Sequence, residues 1–499
     1  MSFLSRLPAS LEEHPSRALL ALCLAQIVAW TLAPTLAHDM PPLDVVEGYM
    51  WGREWPLATF KHPAMPSWIL EASRRLTGSV GWPAYLAAQL LIAATFLLVF
   101  ALGRQLLDAR RAAAGTLLLT GVFYFSVPTP ELNHNVAQMP FWAAIALALW
   151  LATERGNRIS WLLLGLVAAG GMYAKLSTGL LLFTGGIWML ADARARGRLA
   201  TPGPWLGLAI FAALVLPLVL HLVRSDGEML QYAAGRGRQF GQNVLAFLGV
   251  QALALAGAAV MLVIAGLGFS RVPQDVAVSP LDGGPVDPRV VRFLALLTLG
   301  PIALSVLLAL LGRVGAKGMW GAPMLNLAGL LAVALVADRL PRSALRRLAV
   351  CAAALLVLLP AGYVAFMLVW APATGRLKKQ HWPQAEISTR LQARWASATG
   401  KPLLIVAGEP WVAGAVGLGP GASPSILTNG SLAQAPWISP ERLKRDGALV
   451  VWQEDARRFK PPAIDALVAG RPVGEERFVP RWLPSAPPIV IKYVIIPPA

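Results

Sequence analysis

The sequence predicts a polytopic α-helical membrane protein that ends in a small α/β domain outside the bilayer. Three observations predict it. Of the 499 residues 56% are hydrophobic and only 14% charged, against about 25% charged in ordinary soluble domains. Apolar stretches long enough to cross a bilayer recur between residues 18 and 370. Beyond about residue 372 the pattern changes, and polar helix-like stretches alternate with short apolar runs of strand type.

Taken in order, segments near 18–37, 83–103, 112–128, 136–153, 160–174, 177–191, 204–223, 243–268, 293–311, 321–337 and 348–370 make about eleven spans, the fifth and sixth rather short. The first follows a polar start containing Arg6 and Arg17 and reads as a signal anchor. With the N-terminus inside, the even connections carry Arg104, Arg110 and Arg111, then Arg155 and Arg158, then Arg194, Arg196 and Arg198, and later Arg289, Arg292, Arg346 and Arg347. Arginine on cytoplasmic loops is what the positive-inside rule expects. It also accounts for the formal net charge of +17. No basic stripe is interleaved with aromatics, so nucleic acid is not an expected partner. The connection from Ser270 to Arg292, rich in Pro and Gly, is expected to be a mobile loop. Cys23 and Cys351 both fall in apolar segments, which leaves no disulfide framework and no cysteine metal site.

An odd number of spans delivers the tail to the outer side. The expected division is residues 1–371 as the transmembrane part, with a first outer loop at 38–82, and 372–499 as the outer α/β domain. Within the tail, Pro383 to Thr399 and Pro461 to Ala469 read as helices, and Leu403 to Ala407, Ala448 to Trp452 and Ile489 to Ile496 as strands. Pro and Gly crowd the stretch from Gly414 to Pro424, which reads as loop.

This topology places the polar residues on one side. Asp44 and Glu47 stand three apart in the first outer loop and share a face if helical. Two carboxylates held close push their proton affinities apart and leave one suited as a base; a solvated charge pair is the alternative. Lys61 and His62 precede Pro63 in the same loop. Glu131, Asn133 and His134 lie between two spans, where they can hydrogen-bond a sugar hydroxyl or cap a helix, and no metal-ligand spacing such as HExxH is present. No cofactor is expected with certainty, and a divalent cation is the one candidate. Tyr232 lies on the fourth outer connection. Lys175 follows Gly170-Gly171 at an outer turn, where snorkelling is the alternative to a site. Arg313 and Lys317 flank Gly315, with Trp320 just beyond, and two cations on the disfavoured side of a membrane suit a lipid phosphate better than simple anchoring. Nucleotide-binding loops and a GxSxG elbow are absent.

Nucleotide-activated sugars are scarce outside the membrane, so a lipid-linked phosphate is the substrate class that fits. A carboxylate would take the proton of an acceptor hydroxyl while cations stabilise the departing phosphate, which is glycosyl transfer.

The acidic pair Asp44 and Glu47, the following Lys61-His62-Pro63 with Trp68, Lys175 after a glycine-rich span end, and an outer C-terminal domain together resemble the GT-C polyprenyl-phosphate-sugar glycosyltransferases. Within that group the chain is similar to bacterial lipid A aminoarabinose and galacturonic acid transferases and to protein O-mannosyltransferases, over about residues 20–370. The resemblance implies a bacterial inner-membrane enzyme with a periplasmic site, a polyprenyl-phosphate-linked sugar as donor, an envelope lipid or glycan such as lipopolysaccharide as acceptor, and inversion at the anomeric centre. It makes Asp44 the base, with Glu47 a competitor because relatives often place the two acids side by side whereas two valines part them here. Lys175, Arg313, Lys317 and Lys61 would contact donor phosphate. His62, Glu131, Asn133, His134, Tyr232 and Trp320 would line the substrate cavity. The competing class is a flippase for a lipid-linked sugar, which tends to carry polar groups at the bilayer midplane rather than at span ends.

Overall fold

A computed structural model describes residues 14–225, 228–239, 244–266, 285–312, 316–336, 339–341, 343–419, 423–453 and 461–499. Seven helices are long and apolar enough to cross a membrane: Pro15–Ala37 (α1), Trp82–Leu106, His134–Arg155, Pro202–Arg224, Val244–Ala265, Pro288–Gly312 and Ala344–Ala373. An eighth span is possible where Gly318–Leu325 and Ala328–Val336 join at a 58° bend. Arg158–Ala174 and Thr178–Ala191 are shorter apolar helices. The protein is therefore a multi-pass membrane protein, and every segment expected to be a span is at least partly helical.

One of those segments departs in form. The stretch expected at 112–128 is a ten-residue helix, Ala109–Leu118, followed by two single 3-10 turns. Gly121 explains where the regular helix stops. It lies backbone to backbone against Gly257, and a side chain there would overlap Ala258 and Met261, so the chain turns inside the bundle instead of crossing beside it. The expected loop from Ser270 to Arg292 lies largely outside the described residues, and its end is helical from Pro288 onward.

The lipid-facing side of α1 is legible residue by residue. Leu20, Leu24, Val28, Leu32 and Leu36, one on every turn, are exposed, while Leu19, Leu22, Cys23 and Trp30 are buried in the bundle. At the end of the bundle away from the first loop's site three helix termini are tied by one side chain. Arg289 Nε and Nη2 donate to the Asp192 carboxylate at 2.7 and 3.0 Å, and its Nη1 donates to Glu154 at 2.7 Å. The guanidinium also lies beside Trp150 and Trp188, 4.7 and 5.4 Å from their ring centres, a planar fork used as only arginine can use it.

The tail forms a five-stranded sheet in the order β2-β1-β3-β5-β4, from β1 (Ile405–Gly408), β2 (Ser425–Thr428), β3 (Ala448–Gln453), β4 (Gly474–Phe478) and β5 (Ile489–Ile496). β1 is parallel to β2 and β3, whereas β5 runs antiparallel to β3 and β4. Helices Gln384–Thr399 and Pro462–Val468 occupy the predicted positions. Of the stretch from Gly414 to Pro424 expected as loop, residues 420–422 lie outside the described residues, and Gly414 to Gly417 belong instead to the buried helix Pro410–Gly417. Its glycines are there for close approach: at Gly414 a side chain would overlap Val46 of the first outer loop.

That loop contains the helix on which the two parts meet, Leu43–Gly52 (α2), followed by Met65–Thr77 (α3). Val45 and Tyr49 belong to the membrane core together with Leu70, while Val46 and Met50 belong to the core of the tail together with Trp411 and Ile426. Ser425 reinforces the contact by donating to Glu54 at 2.6 Å and accepting from Arg442 at 2.8 Å. At the end of α2, Gly52 lies on the backbone of α3, so that an added Cβ would overlap the Ser67 carbonyl oxygen. A Gly52→Ala protein is expected to lose about 1–3 kcal/mol through overpacking, read as an earlier thermal unfolding transition in detergent. Gly186→Ala, with nothing within 4 Å of the new methyl, is the matched control.

Candidate active site

Asp44 and Glu47 lie on α2 as the spacing required, one turn apart, with Pro42 in the N-cap position and Asp44 in the first turn. Both line a cavity of about 340 Å³. Lys175, Lys317 and Trp320 line the same cavity, as do His62, Asn133, His134 and Asn135. Residues from five separate connections thus converge on one space at the ends of the helices.

The two acids differ in their bonding. Lys61 Nζ donates to Glu47 Oε1 at 2.5 Å, with both side chains largely buried. Lys61 is itself ringed by Trp51, Phe60 and Tyr232, whose ring centres lie 5.4, 5.5 and 5.8 Å away, an arrangement that favours the charged ammonium. Lys61 therefore lines the cavity together with Lys175 and Lys317 while its ammonium is held by a carboxylate. The Asp44 carboxylate has no hydrogen bond among the described residues; only its backbone N–H is engaged, donating to Glu131 Oε1 at 3.2 Å. Glu131 stands behind Asp44 and does not line the cavity. Burial, and then the nearby Asp44 carboxylate, push its pKa up to about 7.

Lys175 is 9% exposed, and its Nζ donates to Asn135 Oδ1 at 2.6 Å while lying 5.6 Å from the Trp320 ring centre. Burial lowers its pKa to about 7; Asp44 acts the other way, and Lys317 lowers it further. The Lys317 turn is fastened by the Gly318 carbonyl, which accepts from Tyr124 at 2.7 Å and from Gln251 at 2.9 Å. Arg313 lies outside the described residues.

His62 and His134 face each other with ring centres 4.1 Å apart. Burial, then His134 and the lysines, hold the His62 imidazole well below its usual value, so it is neutral near pH 7. His134 Nε2 is 3.1 Å from the Pro63 carbonyl oxygen, a contact that fixes the end of the first loop on the helix His134–Arg155. Asn133 caps that helix, its Oδ1 accepting from the N–H groups of Asn135 and Val136. Its side chain is thus committed to the fold although it borders the cavity. Tyr232 projects from the helix Glu228–Gln239 and stacks edge-on against Phe60 and His62. Asn135, which holds Lys175, and Phe60 were not singled out by sequence. Their signal was adjacency to residues that were.

A divalent cation finds no ready site, for among the described residues no three His, Cys, Asp or Glu side chains form a metal-binding group. The Glu47 carboxylate already faces an ammonium.

Comparison with solved structures places this architecture. The crystal structure of ArnT from Cupriavidus metallidurans bound to undecaprenyl phosphate superposes with a TM-score of 0.61 over 95% of this chain and 97% of that one, at 14% identity. The apo form of the same protein gives 0.60 over the same shares. The chain shares the fold of ArnT. Residues 61–221 match the family described as dolichyl-phosphate-mannose-protein mannosyltransferase, a region that begins at Lys61 and includes Lys175. The archaeal oligosaccharyltransferase AglB from Archaeoglobus fulgidus is also similar, at 10% identity and a TM-score of 0.45, with 89% of this chain and 70% of that one covered. Among curated proteins no sequence matches. The GT-C resemblance and the reading as a glycosyltransferase agree with both the family match and the fold.

The site's charge state sets a pH dependence. Lys175 is a cation below about pH 7 and is neutral above it, so anion binding is favoured on the acid side and declines as pH rises through that value. Affinity for dodecyl phosphate, measured by titration of the purified protein between pH 6 and 8.5, is expected to fall several-fold. Lys175→Arg, whose guanidinium stays charged, is expected to flatten the profile.

Proposed function

We propose that the chain is an inverting glycosyltransferase that moves a sugar from a polyprenyl-phosphate donor to an envelope lipid or glycan at the periplasmic face of a bacterial inner membrane. The observation that carries this reading is one cavity lined both by Asp44, whose carboxylate has no hydrogen bond among the described residues, and by Lys175 and Lys317. An acid that can accept a proton shares this space with two cations that can receive a phosphate. The solved structure of ArnT with undecaprenyl phosphate supports the same class of donor.

In the proposed reaction the acceptor hydroxyl gives its proton to Asp44 while its oxygen attacks the anomeric carbon on the face opposite the phosphate. The bond from that carbon to the phosphate oxygen breaks, its electron pair leaves with the lipid phosphate, and Lys175 and Lys317 stabilise the charge that results. Lys61 keeps Glu47 ionised and in place, so that Glu47 orients the acceptor rather than taking its proton. His62, neutral and donor-capable, and Tyr232 contact the sugar. Asn133, His134 and Glu131 set the shape of the site from behind, and Trp320 covers the phosphate end. Arg313 is proposed as a third cation for the phosphate on the strength of its position in sequence alone.

Arginine on the opposite connections supports an outward site, and residues 1–371 and 372–499 are proposed as the transmembrane and periplasmic parts. The matched family description names protein mannosyl transfer, which makes a protein acceptor the second reading.

Asp44→Asn is expected to reduce sugar transfer in isolated membranes by about 10²–10⁴-fold while folding normally, and Glu47→Gln to reduce it less. Wild-type rates in both variants would sink the carboxylate mechanism, and a dead Glu47→Gln beside an active Asp44→Asn would reverse the roles. Mass spectrometry of labelled lipids, glycans and proteins from the same membranes separates the acceptors, and movement of intact lipid-linked sugar without bond cleavage would identify a flippase.

A further inference from the structure

Two of the lysines that line the Asp44 cavity are largely buried, and their partners differ in kind. Lys61 Nζ donates to the Glu47 carboxylate at 2.5 Å, whereas Lys175 Nζ donates to the neutral amide oxygen of Asn135 at 2.6 Å. We infer that Asn135 is the positioning residue that makes Lys175, rather than Lys61, a phosphate-receiving cation, because an amide oxygen directs the ammonium without cancelling its charge. The inference rests on the glycosyltransferase reading and adds the residue that decides which of the two lysines serves the donor phosphate.

The geometry is built from one helix face. Asn135, Gln138 and Trp142 stand at positions i, i+3 and i+7 of the helix His134–Arg155 and therefore share a side of it. All three reach the turn between Arg158–Ala174 and Thr178–Ala191: Asn135 accepts from Lys175, Gln138 Oε1 accepts from Ser177 Oγ at 3.1 Å, and Trp142 Nε1 donates to Thr178 Oγ1 at 3.3 Å. The turn is also closed by its own backbone. The Lys175 N–H donates to the Gly171 carbonyl at 2.9 Å, and the Thr178 N–H to the Lys175 carbonyl at 3.1 Å. The turn thus holds without the bond from Asn135, whose remaining effect is to aim the ammonium. Asn135 is itself fixed, since its N–H donates to the Asn133 cap at 2.9 Å. An ammonium has donors only, so the amide must present its carbonyl oxygen to Lys175.

Charge separates the two lysines. A carboxylate beside an ammonium makes a pair without net charge, and an incoming phosphate would have to compete with that carboxylate. Lys61 is in this state, and it lines both this cavity and a second, of about 580 Å³, that shares Leu43, Glu47 and Tyr232 with it. The amide of Asn135 leaves the Lys175 charge for a ligand. The other titratable groups on the cavity are Asp44, whose charge favours the ammonium, Lys317, whose charge opposes it, the Glu47–Lys61 pair, and the imidazoles of His62 and His134. Burial, and then Lys317, hold the Lys175 pKa down to about 7, and an arriving anion favours the charged form. Phosphate binding above neutral pH is therefore accompanied by proton uptake at Lys175. An aspartate at position 135 would keep Lys175 charged throughout and remove that uptake.

The test measures binding of dodecyl phosphate to the full-length protein in nanodiscs, by calorimetry between pH 6 and 8.5 in two buffers of different ionisation enthalpy, with empty nanodiscs subtracted. Asn135→Asp, which exchanges the amide nitrogen for oxygen, is expected to weaken binding about tenfold at the acid end, the scale of one hydrogen bond to a charged group. It should also flatten the pH profile and take up fewer protons than wild type, with an unchanged thermal transition. The proton carried by the phosphate itself is common to both proteins, so the difference reports Lys175. Glu47→Gln tests the same rule at the other lysine: an amide in place of the carboxylate should release the Lys61 charge and strengthen dodecyl phosphate binding. A merely structural Asn135 would lower the thermal transition and leave proton uptake as in wild type. Binding by Asn135→Asp as tight as wild type at the acid end, wild-type proton uptake in that variant, or weaker or unchanged binding in Glu47→Gln would each overturn the inference. Should Asn135→Asp not fold, the Glu47→Gln result decides. Failure of the transferase reading shows elsewhere, as full transfer by Asp44→Asn, so the two failures are separable.

Discussion

Everything at the outer face depends on a ten-residue helix that belongs to two hydrophobic cores at once. α2 gives Val45 and Tyr49 to the membrane bundle and Val46 and Met50 to the tail, and because adjacent helix positions point about 100° apart, the remaining face is left for Asp44 and Glu47. The carboxylates are displayed by elimination: every other direction around the helix is filled by packing. The small residues make this possible. Gly48 and Gly52 lie against Leu70 and the Ser67 backbone, and Gly414 lies against Val46 from the other side, so the helix is clasped more closely than side chains would permit. Close packing of this kind tolerates little change in volume.

Electrostatics then divide the space that the helix faces. The Glu47–Lys61 pair stands where the two cavities share a wall, and a buried ion pair surrounded by aromatic rings is costly to separate.

Much of this was legible in sequence, for identifiable reasons. Span positions follow from composition, since a bilayer demands long apolar runs, and Asp44, Glu47, Lys175 and Lys317 stand out because charge beside hydrocarbon needs a reason. The failures share a cause, which is that contact between distant segments leaves no local trace. Residues 112–128 are apolar enough to span, yet Gly121 meets Gly257 and the chain turns. Gly414 reads as a loop residue until Val46 is placed against it. Nothing local in sequence shows that Lys61 bonds to Glu47, fourteen residues earlier. Asn133 was legible as either a cap or a ligand, and its bonds to Asn135 and Val136 show the cap.

The Arg289 clamp has a mechanical consequence at the opposite end of its helix. It pins the start of Pro288–Gly312 to the termini near Glu154 and Asp192, and a helix of 25 residues reaches about 37 Å at 1.5 Å per residue. Such a rod, fixed at its base, is a lever: a tilt of about 5° sweeps its far end through about 3 Å, and that end leads directly into the segment carrying Lys317 and Trp320. A base held in place therefore concentrates what motion the helix has at the rim of the cavity, where a displacement of that size equals the length of a hydrogen bond.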